Sequence, residues 1–350
     1  MRKILKIGAL ILVVLVILAA IAAFWKREEI ARLMAVNSLF SEDKIVGNFS
    51  NMDGAFLNVA MDRGPGPVMP LPPSDAPLEV TPEMEAWIAD HTVTGLVVLD
   101  GTDIVFEGYY QDTTADDRRV SWSVAKSFLS ALFGIALADG SIASLDDPVK
   151  TYAPALAGTA YDKATVKDVL TMSSGVAFNE DYLDYDSDIN KMGRTLALGG
   201  SMDEFAAGLK NTFVEPGQQF QYVSIDTHVL GMVLRGATGR SVPDLLQEQI
   251  IQPLGLEADP YYLTDGYGVA FVLGGLNLRT RDYARFGALV ANEGMGPNGA
   301  IIPADWIDTS TVPQANTVPG QTGYGYQWWI PPGFGPSEVL ARGIYDQYIY

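Results

Sequence analysis

The stretch SWSVAKSFLSALFGIALADG, residues 121–140, constrains this chain more than any other. It reads as an apolar helix closed by Asp139-Gly140, yet it carries a lysine about one turn from its start. A helix this apolar belongs in a core, and the chain can build one, since 48% of its 350 residues are hydrophobic and 19% charged. A buried ammonium is costly unless it is paired or neutralised, so Lys126 needs a reason to be there. Ser123 lies three residues earlier, which on a helix places both side chains on one face about a turn apart. With Ser123 at the helix start, its own N–H is free, and the dipole favours the negative charge that acyl transfer develops on oxygen. An apolar site disfavours the ammonium form, so Lys126 could accept the serine proton. The bland alternative is a lysine that snorkels from a helix end.

The spacing alone is weak. With 18 serines and 10 lysines, about half a Ser-x-x-Lys match is expected by chance, and the chain has two. The other, Ser41-Glu42-Asp43-Lys44, has acidic neighbours and no apolar helix. Rival chemistries fare worse. There is no Gly-x-Ser-x-Gly, so the strand-to-helix nucleophile elbow is missing. Two histidines, His91 and His228, leave few ways to build a Ser-His-Asp triad and fewer to build a zinc site, and each reads as a hydrogen-bonded structural residue. Absence of cysteine removes disulfides, thiolate metal sites and a cysteine nucleophile. No metal or cofactor is expected. The net charge is −19, although the first 32 residues hold six Lys/Arg against two Glu, so the remainder is more acidic still. Such a body should repel nucleic acid and polyanionic substrates, and plain solubility also accounts for it.

From Ile7 to Phe24 the chain is uncharged and apolar, about 27 Å long if helical and close to a bilayer core. Residues 1–30 are therefore expected to be an uncleaved membrane anchor. The rival is a signal peptide, because Ala20-Ile21-Ala22 resembles a cleavage site, but such an apolar core is usually shorter, roughly 7 to 15 residues. Arg2, Lys3 and Lys6 precede the run while Lys26, Arg27 and Arg32 follow it, so charge barely decides orientation. The reading is a single-pass protein with its body on the exported side, or a secreted one if the segment is cleaved. Residues 31–80 read as a stalk and wrapping segment ending in DRGPGPVMPLPPSDAP, which forbids regular structure. The body, 81–350, opens with a hairpin pattern, TGLVVLDGTDIVFEGYY, turning at Asp100-Gly101. Helical segments and polar loops follow over about 140–256; then LRTRDYARFGALVANEG reads as a capped helix, and YGYQWWI and VLARGIYDQYIY as strands. The expected class is α+β: an antiparallel sheet flanked by helices and interrupted by an inserted all-helical domain.

Six motifs in order, SWSVAKSF, GSIASLDDPV, LTMSSGV, PGQQFQYVSIDTHVLGMVL, GGLNLRTRDYARFG and ARGIYDQYIY, resemble the serine β-lactamase and penicillin-binding-protein superfamily. Within it the resemblance is to class C β-lactamase-like serine hydrolases, the branch with family VIII esterases and 6-aminohexanoate-dimer hydrolase. It covers roughly residues 80–350 and implies a β-lactamase/transpeptidase-like fold. It also implies that Ser123 is the nucleophile, Lys126 its base, and Tyr222 a second proton relay from a Tyr-x-Asn element. The backbone N–H of Ile344 would join that of Ser123 in an oxyanion hole. Ser224 stands at the Asn position, as in the nylon-oligomer hydrolase branch, and a hydroxyl offers fewer donors than an amide. Ala341-Arg342-Gly343 stands where lactamases and peptidases have Lys-Thr-Gly. Ser224, Arg342 and Gly343 are the implied substrate contacts, with Tyr182 from a loop that would overhang the cleft. Tyr185, Asp181 and Asp188 share that loop, for which a solvated acidic surface is the bland account, just as Tyr222 has a core-aromatic alternative. The family usually continues past this point with another strand and a closing helix, so the chain, stopping at Tyr350, reads as a fragment or leaves an open sheet edge.

The expected function is a membrane-anchored serine hydrolase that cleaves an amide or ester in a small molecule through an acyl-enzyme, with no nucleic-acid partner. The alternatives are a β-lactamase or peptidoglycan DD-peptidase, against which Ser224 and Ala341 argue, and a catalytically silent binding protein, against which Ser123, Lys126 and Tyr222 argue.

Overall fold

A computed structural model describes residues 2–335 and 337–350; the side chains of Arg2 and Lys3, counted above on one flank of the apolar run, lie outside what is described. The central element is helix Ala125–Ala138, rich in the strong helix formers Ala and Leu and buried along nearly its whole length, Lys126 included. It follows a 3₁₀ turn, Trp122–Val124, and stops at Asp139, with Gly140 left-handed at φ +78° as a helix-ending glycine requires. Phe128 stacks on Phe286 of helix Thr280–Ala291 at 3.7 Å. The latter helix forms where the sequence placed it, without a side-chain cap at Arg279. Gly134 admits the ring of Trp306, because a Cβ there would stand 2.3 Å from it.

Four short strands form an antiparallel sheet in the order Asn58–Ala60, Tyr261–Leu263, Leu276–Leu278, Arg119–Val120. The last of these leads straight into the 3₁₀ turn, and Ser121 N–H extends the pairing to the Leu276 carbonyl at 2.7 Å. The sheet edge thus delivers Ser123 to the end of the buried helix. Gly95–Asp100 and Asp103–Tyr109 form the expected hairpin, with Gly101 left-handed at φ +62°. Two runs read as strands fold differently. YGYQWWI doubles back, Gly323–Tyr324 pairing with Trp329–Ile330, because Gln327 takes φ +66° and Gly325 N–H bonds the Trp328 carbonyl. VLARGIYDQYIY likewise folds on itself, Ala341–Gly343 against Gln347–Ile349, around left-handed Tyr345 and Asp346.

Between residues 141 and 256 every regular element among the described residues is helical, the longest being Asp188–Ala197 and Ser224–Thr238. Thr165 and Asp168 cap the short helix Val166–Leu170 reciprocally, as Thr-x-x-Asp before an apolar run allows. Leu39, Phe49, Met52, Phe56, Met61 and Met69 enter the same core as the central helix. The Pro/Gly-rich segment is irregular and held by side chains: Arg63 bonds the Leu256 carbonyl at 2.7 Å and Arg285 the Met69 carbonyl at 2.9 Å. At the N-terminus, helix Arg2–Trp25 contains the apolar stretch Leu5–Trp25, none of it buried, a candidate membrane span of about 32 Å. Helix Arg27–Ser38 follows and is tied to the body by Arg32, whose Nε donates to the Ala197 carbonyl at 2.8 Å.

Candidate active site

Lys126 does not snorkel. It is 1% exposed, and its Nζ donates to Ser123 Oγ at 3.2 Å and to the Leu273 carbonyl at 2.8 Å. Neither partner carries charge. Desolvation therefore dominates and lowers its pKa from 10.5 to about 7, against the opposing pull of the more distant carboxylates Glu180 and Asp226. Near neutral pH a sizeable fraction of Lys126 is a free amine beside a serine hydroxyl. Ser123 itself is only partly buried and sits in the 3₁₀ turn, so the α-helix proper begins two residues after it.

Tyr222 closes the group from the other side, with Lys126 Nζ 5.6 Å from its ring centroid. Its ring stacks on Trp329 at 5.0 Å and meets Tyr324 edge-on at 6.3 Å, which fixes the phenol. Desolvation pushes its pKa well up, partly offset by the nearby Ser123 and Ser224 hydroxyls, neither of which makes a hydrogen bond of normal geometry to it. Ser224 begins helix Ser224–Thr238 and is engaged elsewhere: its Oγ donates to Glu180 Oε1 at 2.5 Å and its N–H to Glu180 Oε2 at 2.9 Å. The Tyr182 hydroxyl donates to the same carboxylate at 3.0 Å. Glu180 is thus the hub that joins the overhanging loop to the cleft. Two residues further into the helix, buried Asp226 accepts from Tyr161 and Ser174, both at 2.8 Å, and desolvation raises its pKa to about 7.

The opposite wall is the strand Ala341–Gly343. Ala341 and Gly343 face inward and Arg342 outward, where its charge still acts on Tyr222. A Cβ on Gly343 would stand 2.8 Å from the Ser121 carbonyl oxygen and 3.0 Å from Ser123 N, so only glycine lets this strand lie against the turn that carries Ser123. The N–H groups of Ser123 and of Ile344 donate to no acceptor among the described residues. Two free donors, one in the 3₁₀ turn and one just past the strand that packs against it, are what a developing oxyanion needs.

The structure thus gathers Ser123, Lys126, Tyr222, Ser224 and Gly343, with Ile344 adjoining and Tyr182 reaching in through Glu180. It leaves others apart. Asp181 and Asp188 cap the loop's own backbone, accepting from Leu183 N–H and Asn179 N–H at 2.9 Å, and Tyr185 lies under Arg194 at 4.0 Å. His91 stacks on Trp87, and His228 pairs with Asp203 at 2.8 Å. Glu180, Asp226 and the Leu273 carbonyl were not singled out in the sequence. A backbone carbonyl has no letter, and the two acids are distinguished only by what folding brings to them.

The beta-lactamase family model matches residues 86–350. The chain belongs to the beta-lactamase family. It is a serine hydrolase of that family, of the amidase and esterase kind. A 6-aminohexanoate-dimer hydrolase of Paenarthrobacter ureafaciens is 28% identical over 301 residues, 81% of this chain and 76% of that protein. A D-aminopeptidase of Brucella anthropi is 26% identical over 144 residues, 41% of this chain and 26% of its own length. A solved Bacillus anthracis protein provisionally assigned as a 6-aminohexanoate-dimer hydrolase superposes with a TM-score of 0.77 at 22% identity, covering 89% of this chain and 86% of its own. The chain has the β-lactamase/transpeptidase-like fold, with its mixture of helices and strands.

Proposed function

We propose that this beta-lactamase-family protein cleaves an amide or ester of a small molecule through an acyl-enzyme on Ser123. The observation that carries the proposal is the neutral-partnered Lys126 at 3.2 Å from Ser123 Oγ. Lys126 as free amine takes the serine proton while Oγ bonds to the substrate carbonyl carbon. The carbonyl oxygen becomes an oxyanion held by the N–H groups of Ser123 and Ile344. Tyr222, whose raised pKa keeps it protonated, passes a proton to the departing amine or alkoxide and is reprotonated from Lys126. Water then attacks the acyl carbon and gives its proton to the same pair, which restores Ser123. Ser224 and Tyr182, fixed on Glu180, and outward-facing Arg342 border the space for substrate.

The chain is further read as an anchor over 1–30, a stalk and wrapping segment over 31–80 and a hydrolase body over 81–350, with a helical subdomain at about 140–256 inserted in it. The apolar exposed helix supports anchoring, and the body is read as lying on the exported side. The full chain is expected to fractionate with membranes and a chain starting near Ala31 to lose that association; a soluble product with its N-terminus near Ala23 would mean a cleaved signal instead. Ala341 offers no cation at the place where a lysine would help hold a β-lactam carboxylate, so esters and linear amides are the expected substrates, the latter in line with the name of the Paenarthrobacter relative. The test is an acylating fluorophosphonate probe followed by peptide mapping, alongside turnover of p-nitrophenyl esters, linear amide oligomers and a chromogenic cephalosporin. Label on Ser123, abolished in Ser123→Ala together with turnover, is the expected result. Label on Ser41 or Ser174 with Ser123 unmodified sinks the mechanism.

A further inference from the structure

Trp122, the residue before the proposed nucleophile, has φ +42°, a left-handed backbone conformation that a bulky side chain adopts only where its surroundings impose it. The surroundings come from the segment between the N-terminal helices and the sheet. Phe40 and Phe49 approach the indole with ring centroids at 5.4 and 5.5 Å, and the same two rings approach Tyr345 at 4.9 and 5.8 Å. Trp122 and Tyr345 are the chain neighbours of Ser123 and Ile344, whose N–H groups are free among the described residues. One aromatic cluster therefore grips the backbone on both sides of the place where an oxyanion would sit.

The segment that supplies the two phenylalanines is itself fixed. Asn48 Nδ2 donates to the Ser38 and Leu39 carbonyls at 3.1 and 3.0 Å, which sets the turn presenting Phe40. Helix Ile45–Ser50, which carries Phe49, is fastened to the strand ahead of the nucleophile by Arg119. That guanidinium is 5% exposed and donates to the Val46 carbonyl and Ser50 Oγ, both at 2.7 Å. Thus residues 38–50 are braced internally by an amide, tied to the strand ahead of the catalytic turn by a buried cation, and tied to Trp122 and Tyr345 by rings.

We propose that residues 38–50 are a positioning element of the active site, holding Trp122 and Tyr345 so that the Ser123 and Ile344 N–H groups converge on one oxyanion. The proposal rests on Ser123 being the nucleophile. Phe40 and Phe49 act through their aromatic neighbours, and displacement of a catalytic group by about 1 Å suffices to cost on the order of 10²-fold in rate. Edge and stacking contacts of aromatic rings are directional, so an aliphatic residue of similar bulk does not replace them.

The experiment compares the full chain with Phe40→Ala, Phe40→Leu, Phe40→Tyr and Phe49→Leu. It measures kcat and KM on p-nitrophenyl acetate, affinity for phenylboronic acid, which forms a tetrahedral anion on a serine, and Tm. The expected result is a fall in kcat of roughly 10- to 100-fold for Phe40→Ala and Phe40→Leu. KM stays unchanged, boronate affinity falls in parallel with kcat/KM, and Phe40→Tyr recovers most of both. Because Phe40 is 38% exposed, Tm should move little. An unchanged kcat and boronate affinity overturns the proposal, as does a rise in KM alone, which would make Phe40 a substrate wall. A loss that tracks only the unfolded fraction overturns it too, and Phe49→Leu supplies a second reading of kcat against stability. Failure of the catalytic reading looks different: wild-type Ser123 would then resist the fluorophosphonate, whereas equal labelling rates in wild type and Phe40→Ala reject the positioning element alone.

Discussion

Lys126 and Arg285 are both 1% exposed, and they have opposite surroundings. Arg285 meets two carboxylates, Asp282 at 2.9 Å and Glu257 at 2.7 Å, and also the Met69 carbonyl. Lys126 has a hydroxyl and a carbonyl, and no ion pair among the described residues. Depth is the same in the two places, so depth alone does not make a buried cation reactive. What differs is the charge supplied by its partners. Where carboxylates compensate the cation, it works as a joint between segments, here between the Pro/Gly-rich segment and helix Thr280–Ala291. Where only neutral dipoles meet it, the charged form is destabilised, which is the condition the base role proposed for Lys126 requires.

The sharpest way to break this contrast is at Lys126. Lys126→Arg keeps the charge but cannot accept a proton, so kcat on an ester substrate should fall by roughly 10² to 10⁴. Lys126→Ala should lose a similar factor with KM little altered, and an active Lys126→Arg enzyme would put both cations in the structural class. The reciprocal variant is Arg285→Met, which strands buried Asp282, while Glu257 keeps Arg279 and Arg281, each at 3.7 Å. Denaturant unfolding should show a loss of about 3–5 kcal/mol, with kcat per folded molecule retained. Lost turnover at full stability would contradict that assignment. A smaller loss, about 10²-fold in kcat, is expected for Tyr222→Phe, which keeps the stacking on Trp329 and removes only the proton relay.

The pH dependence sharpens the comparison further. Activity should rise with pH through about 7 as Lys126 loses its proton. Between about 7 and its usual 10.5 the unfolded chain binds a proton at this lysine that the folded chain does not, so its contribution to stability becomes more favourable as pH increases. Asp226, raised from 3.8 to about 7, acts in the opposite direction, folding taking up a proton between those values, so its effect is confined to lower pH. Tm measured from pH 7.5 to 9.5 in wild type and Lys126→Met should therefore isolate the lysine: the wild-type curve carries the extra upward slope and the variant lacks it. Coincident curves would mean that Lys126 stays charged in the folded protein.

Lys126 and Ser123 could be read in advance because an ionisable residue in an apolar helix conflicts with its neighbours, and a sequence displays such conflicts. Arg285 displayed none, standing among charged residues of an amphipathic helix, and its burial depends on Glu257 arriving from elsewhere. Glu180 was hidden among five acids between residues 180 and 188, and only the fold selects it by bringing the Ser224 and Tyr182 donors to it. The aromatic runs misled in another way. Alternation in YGYQWWI suits a strand, but period-two patterning says nothing about a reversal at Gln327, a residue type without special liking for the left-handed region. Residues 31–80 read as a stalk and wrapping segment, and nothing in that reading singled out Leu39 and Phe49, which are buried in the same core as the central helix.

Gly343 has a consequence for how this active site could be altered by selection. The strand it belongs to faces the site with positions of unequal freedom. At 343 a single added carbon meets fixed backbone on the Ser121 and Ser123 side, so every substitution there moves the wall away from the nucleophile. At 342 the side chain is exposed and meets no such backbone barrier, although its charge acts on Tyr222. A library randomised over this strand should accordingly return survivors diverse in size at 342 and uniform at its neighbour 343, with changes of charge at 342 felt at Tyr222.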